Sequence, residues 1–133
     1  MDNAQLLEMA KKAREFSGAG ISKFKVGAAL LTKSGKVFMG CNIEDPSGIG
    51  VTNICAERCA VVKALSEGYS DFERIAVVGG VDELIFCTPC GVCRQYLNSY
   101  SPEITVVCLS GSGDIKELPL SELLPYSFDE EFN

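Results

Sequence analysis

The sequence predicts an α/β protein, a three-layer α-β-α sandwich around a mixed sheet of about five strands. Two observations carry this. Short apolar runs of β-branched residues alternate with stretches of helical period, and each switch of period coincides with glycine, proline or a polar cluster. The order is helix, hairpin, helix, strand, helix, strand, an arrangement that layers helices on a sheet. At 133 residues the chain is read as one domain, 1–133, burying roughly two-thirds of its unfolded surface.

Leu6, Leu7, Ala10 and Ala13 recur at helical spacing, which predicts a first helix over 3–17 that "GAG" breaks. Its Lys11, Lys12 and Arg14 read as a solvated face. "KVGAALLT" and "KVFMGCNI", joined by "KSG", predict a hairpin. The polar loop "EDPSGIGVT" follows. Cys55 to Glu67 then reads as a largely buried helix stopped by Gly68. "RIAVVGG" is a buried strand, and "ELIFCT" is expected to be another. Pro89 fits the first position of a helix running through Leu97. "EITVVCL" is a further strand, and the hairpin-like "SGSGDIKEL" leads to a short helix at "LSELL".

Composition narrows the function. The chain is 47% hydrophobic and 23% charged, as in ordinary soluble globular proteins. A net charge of −6 argues against a nucleic-acid partner, because such binding depends on surplus Lys and Arg. The apolar stretches are too short to span a bilayer, and the N-terminal segment does not resemble a secretion signal. A cytoplasmic enzyme of a small, weakly charged ligand is the expectation. Histidine is absent, so acid–base chemistry falls to a carboxylate and a transition-metal site to thiolates.

Seven cysteines, at 41, 55, 59, 87, 90, 93 and 108, fit no disulfide framework: the count is odd and three cluster in "CTPCGVC". Cys55 opens one helix, while Cys90 and Cys93 share the first turn of another. Helix N-termini carry partial positive charge and favour thiolates. Three sulfurs from two such termini select zinc, and a fourth position left open marks a catalytic site. Glu57 is not needed as a ligand; it is placed to take a proton from a water at the open position. Arg58 would donate to the thiolates and offset their negative charge.

Blander readings coexist. Cys41, Cys59 and Cys108 sit in apolar runs as packing thiols. Cys87 extends "CTPC" into a partial iron–sulfur pattern that lacks the closing C-x3-C-P. A structural four-cysteine zinc site, with Cys59 or Cys87 as last ligand, would leave Glu57 without a task. Outside their motifs, Phe24 would be core, Asn42 and Glu44 solvated strand ends, and Phe128 a terminal anchor.

"CAER" with "PCGVCRQ" resembles the short cytidine deaminases of the zinc-dependent cytidine and deoxycytidylate deaminase family, a resemblance that runs along nearly the whole chain. "SKFKVGAAL", "GCNIE" and "ELLPYSF" are similar to further family segments. The resemblance implies deamination of cytidine and deoxycytidine in pyrimidine salvage, with zinc on Cys55, Cys90 and Cys93, and Glu57 as proton shuttle. It further implies that Phe24 packs on the pyrimidine and that Asn42 and Glu44 bind ribose hydroxyls. The Ala56 backbone would meet the ring carbonyl, the Thr88 carbonyl the departing ammonia, and Phe128 a neighbouring subunit's pocket in a homotetramer. Two segments depart from the family pattern. Gly20-Ile21-Ser22 stands where Pro-Tyr-Ser is common, and the loop "DPSGIGVTNI" is longer than usual. Both border the sugar and base pocket, so a related deaminase of another aminopyrimidine or aminopurine is the alternative.

Overall fold

In a computed structural model that describes residues 1–129, helix α1 (Asn3–Arg14) begins at a capping box: the Gln5 N–H donates to the Asp2 carboxylate and the Asp2 N–H to the Gln5 side chain. Leu6, Leu7, Ala10 and Ala13 form its buried stripe, as the spacing predicts. The helix ends at Arg14, short of residue 17. Arg14 is not on a solvated face: its Nε donates to the Lys25 carbonyl at 3.0 Å and its Nη2 to the Gly80 carbonyl at 2.8 Å. Cross-linking two strands to the helix end in this way competes with continuing the helix.

Strands β1 (Lys25–Thr32) and β2 (Val37–Cys41) make the expected hairpin, turning where Gly35 adopts a φ of +93° that favours glycine. Helix α2 (Ala56–Ser66), strand β3 (Phe72–Gly80), helix α3 (Gly91–Tyr100), strands β4 (Thr105–Leu109) and β5 (Ile115–Pro119), and the short helix α4 (Leu120–Leu123) follow. The sheet order is β2-β1-β3-β4-β5; β3 and β4 pair in parallel and all other neighbours antiparallel. A parallel pair needs a crossover, and α3 lies in it.

Alternation along β1 divides the core. Ala29 and Leu31 join Ala76, Val78 and Val107 beneath α1; Ala28 and Leu30 join Ile75, Val77 and Val106 beneath α2, with Leu97 of α3 and Leu120 of α4 on the same side. The result is the expected α-β-α sandwich with a five-stranded mixed sheet. Each fully buried leucine, isoleucine or phenylalanine contributes about 1.5–3 kcal/mol. Two glycines let the helices approach the strands at backbone contact. A Cβ on Gly27 would strike the Ala10 carbonyl and the Arg14 amide nitrogen, and one on Gly40 would lie 2.6 Å from the Ala60 nitrogen. The second contact fixes the N-terminal half of α2 against β2.

Two elements differ from the sequence expectation. "ELIFCT" forms no strand; only Ile85 pairs with Gly79, its N–H donating to the Gly79 carbonyl at 2.9 Å. The chain doubles back at Gly80, where the Glu83 carbonyl occupies the space of a Cβ, and leaves Ile85 and Phe86 half exposed. The fifth strand is instead the polar β5, an edge strand paired only with β4. Pro89 also lies outside its helix: Cys90 is the N-cap, with extended ψ of 168°, and its carbonyl accepts the first helical bond from Arg94 at 2.9 Å.

Candidate active site

The start of α2 faces the start of α3. Cys55 occupies the N-cap of the first and Cys90 the N-cap of the second, so both thiols stand beside exposed helix N–H groups. Cys93 lies one turn into α3 and is buried. The Cys55 and Cys90 sulfurs are 3.7 Å apart, those of Cys90 and Cys93 3.6 Å, and all three sulfurs fall within 4.8 Å of one another. Among the described residues this is the metal-capable cluster; Cys59 and Cys87 are not part of it.

The charge state of the cluster explains what it wants. Hydrogen bonding from Cys93, together with the Arg58 Nη2 donating at 3.4 Å, brings the Cys55 thiol down to about 5. Cys93 is pushed strongly upward, first by that same hydrogen bond to Cys55 and then by burial. One thiolate therefore forms readily, and Cys93 resists ionising beside it. A divalent cation removes that conflict, and three converging thiolates are the soft donor set zinc prefers. The cluster fits a zinc site.

Glu57, in the first turn of α2, is 4% exposed, and burial followed by the nearby Cys55 charge raises its carboxyl to about 7. A carboxylate is kept in such surroundings at a cost, and this one stands beside the thiol cluster. Glu57, Cys55 and Cys90 line a cavity of about 260 Å³.

The same cavity gathers Phe24, Asn42, Glu44, Ala56 and Thr88, residues widely separated in sequence. Glu44 Oε1 accepts from the Ile21 and Ser22 amides, both at 3.0 Å, and the Ser22 hydroxyl also interacts with the carboxylate. Asn42 is mostly committed. Its Oδ1 accepts from the Val26 N–H at 2.9 Å and from Ser17, and one Nδ2 hydrogen goes to the Phe24 carbonyl at 2.7 Å. Asn42 thus braces the backbone that carries Phe24 and keeps one hydrogen for a ligand. The Thr88 hydroxyl accepts from Arg94, which also donates to the Pro89 and Leu123 carbonyls.

Phe128 is not in this cavity. Its side chain is 69% exposed, while its backbone is tied to the Gln95 and Asn98 side chains at 3.1–3.2 Å. Sequence reasoning overlooked Val26, Asn53, Ile54 and Cys87, which also line the cavity. Asn53 offers no sequence signal beyond its polarity, because a loop hydrogen bond is what places it. Cys87 is buried enough to push its thiol up to about 12, which makes it a packing group.

Comparison with known proteins agrees with this geometry. Residues 1–109 match the model of the cytidine and deoxycytidylate deaminase zinc-binding region. A cytidine deaminase of Halalkalibacterium halodurans is 47% identical over 132 residues, covering 98% of this chain and 97% of that protein. A blasticidin-S deaminase of Bacillus cereus is 34% identical over 113 residues, covering 80% of this chain and 79% of the relative. The crystal structure of a cytidine deaminase from Burkholderia pseudomallei superposes with a TM-score of 0.86 at 44% identity, covering 96% of this chain and all of the other. With three thiols converging in a cluster that fits a zinc site, and with matches of this extent, the chain belongs to the cytidine and deoxycytidylate deaminase family.

Proposed function

We propose that the protein hydrolyses cytidine, and 2′-deoxycytidine by the same chemistry, to the uridine product and ammonia in pyrimidine salvage. One observation carries this reading: Cys55 and Cys90 of the thiol cluster and buried Glu57 open into a single cavity with Phe24, Asn42 and Glu44. Cys55, Cys90 and Cys93 would hold zinc, which when bound supplies the Lewis acidity that makes water a nucleophile at neutral pH. Glu57 takes the proton of the attacking water and delivers it to ring N3 as oxygen adds to C4. It then carries the second proton to the amine, the C4–N bond breaks, and ammonia leaves past the Thr88 carbonyl.

The remaining groups orient. The guanidinium of Arg58 stabilises the Cys55 thiolate. Phe24 offers a ring to the pyrimidine. The Ala56 N–H, at the positive end of α2, meets the ring carbonyl. The Glu44 carboxylate and the last Asn42 hydrogen receive the sugar. Exposed Phe128 fits a role in a neighbouring subunit's pocket, and a homotetramer would run at about four times the 14.3 kDa chain mass in light scattering. A cluster of reduced thiols suits the cytoplasm, and no helix among the described residues is long and apolar enough to cross a membrane.

A second reading rests on the blasticidin-S deaminase relative: an aminopyrimidine ligand of different sugar or tail. The test is a panel of cytidine, deoxycytidine, cytosine, cytidine monophosphate, adenosine and blasticidin S on zinc-loaded protein, followed by ultraviolet absorbance. Turnover of cytidine at least tenfold above every other arm except deoxycytidine is expected. Preference for blasticidin S, or inertness towards all nucleosides, would overturn the assignment.

A further inference from the structure

The loop following Glu44 is pinched shut at its base. Ile43 and Ile54 exchange backbone hydrogen bonds, Ile43 N–H to Ile54 carbonyl at 2.9 Å and the reverse at 3.0 Å. Inside the pinch, the Asp45 carboxylate accepts from the Ser47 N–H at 2.8 Å, from the Ser47 hydroxyl at 2.6 Å and from the Thr52 hydroxyl. The Asp45 N–H donates to Asn53 Oδ1 at 2.6 Å. A backbone N–H can only donate, so the oxygen of the Asn53 amide must face Asp45 and its NH2 must face away from it. Asn53 is half-buried and lines the cavity with Glu44, Asn42 and Phe24, and its Nδ2 has no protein acceptor among the described residues.

We infer that Asn53 is a specificity-determining residue that donates from Nδ2 to the oxygen of the sugar hydroxyl received by Glu44. This rests on the cytidine reading above. A hydroxyl has one hydrogen and two lone pairs. Its hydrogen goes to the Glu44 carboxylate, which can only accept. Asn42 has one hydrogen left for a lone pair, because Phe24 takes the other. The second lone pair needs another donor at the same end of the cavity. Asn53 supplies it from a position rigidified on three sides: the Ile43–Ile54 pairing, the Asp45 N–H, and the N-cap of α2 two residues on.

The test compares wild type, Asn53→Asp and Asn53→Ala, all zinc-loaded, on cytidine and on 2′,3′-dideoxycytidine, with kcat, KM and Tm measured for each. Asn53→Asp is the decisive variant: it retains an oxygen for the Asp45 N–H and removes the donor. On cytidine both variants should raise KM roughly tenfold to a hundredfold while kcat changes little. On dideoxycytidine, which lacks the 2′ and 3′ hydroxyls, that penalty should disappear. Wild-type KM for cytidine in Asn53→Asp overturns the inference and leaves the deamination reading standing. Equal penalties on both substrates, or a lowered Tm in Asn53→Asp, would show a structural or base contact and also overturn it. A zinc-loaded wild type inert to cytidine ends the deamination reading and the inference with it.

Discussion

Replacing Glu57 with glutamine keeps the side chain's volume and removes its ability to accept a proton. The residue is 4% exposed, so the variant creates no cavity and relieves burial of a charge. Stability should hold or rise slightly, and the three thiols, untouched, should keep zinc at one ion per chain. Activity is another matter. A positioned proton-transfer group is worth about 10²–10⁴ in rate, which is roughly 3–5 kcal/mol in the barrier. Glu57 serves twice per turnover, moving a proton to N3 and then to the amine, so the loss belongs at the upper end of that range. The assay is kcat/KM from the fall in cytidine absorbance, with zinc content and Tm recorded on the same preparation. A fully metallated, folded Glu57→Gln enzyme within tenfold of wild type would refute the proton-shuttle argument.

Other outcomes follow from the same geometry. Cys90→Ser should lose zinc on dialysis and lose activity with it, because Cys90 bridges the other two sulfurs at 3.6–3.7 Å; full metal retention would move the site. Gly79→Ala places a Cβ 2.8 Å from the Cys87 sulfur and 3.1 Å from the Phe24 ring, so it should push that ring into the cavity and raise KM about tenfold or more with little change in Tm. Glu44 is held below its ordinary value near 4.5, chiefly by the Ser22 N–H and hydroxyl. Its contribution to stability is therefore complete above that value and fades as pH falls through the lower folded value. The Tm gap between wild type and Glu44→Gln should be constant near neutrality and narrow in acid; a gap that widens in acid contradicts this.

The parts of the fold that were readable from sequence are those where one signal dominates. Leu6, Leu7, Ala10 and Ala13 could only be a helical stripe, and "KVGAALLT" was long enough to be a strand covered on both faces. The failures come from context. "ELIFCT" has strand composition, but the backbone collision at Gly80 turns the chain after a single bridge. "IKELP", part of the stretch read as hairpin-like, is not counted as a strand from sequence because an edge strand packs little of itself: Leu118 alone is partly buried there. The count of strands came out right with one member exchanged. Cys55, Cys90, Cys93 and Glu57 were legible because thiols beside helix starts and an acid beside a thiol have few other uses. Asn53 was not, since its importance lies in a loop hydrogen bond that fixes which end of an amide faces the cavity.

The Ile43–Ile54 pairing has an engineering consequence. It acts as a clasp: whatever length of chain is threaded between those two positions, the residues entering the metal-bearing helix leave from the same point. Residues 46–52 line no part of the thiol-bearing cavity, so they form a cassette exchangeable between relatives while Asn53 and the sulfur cage keep their places.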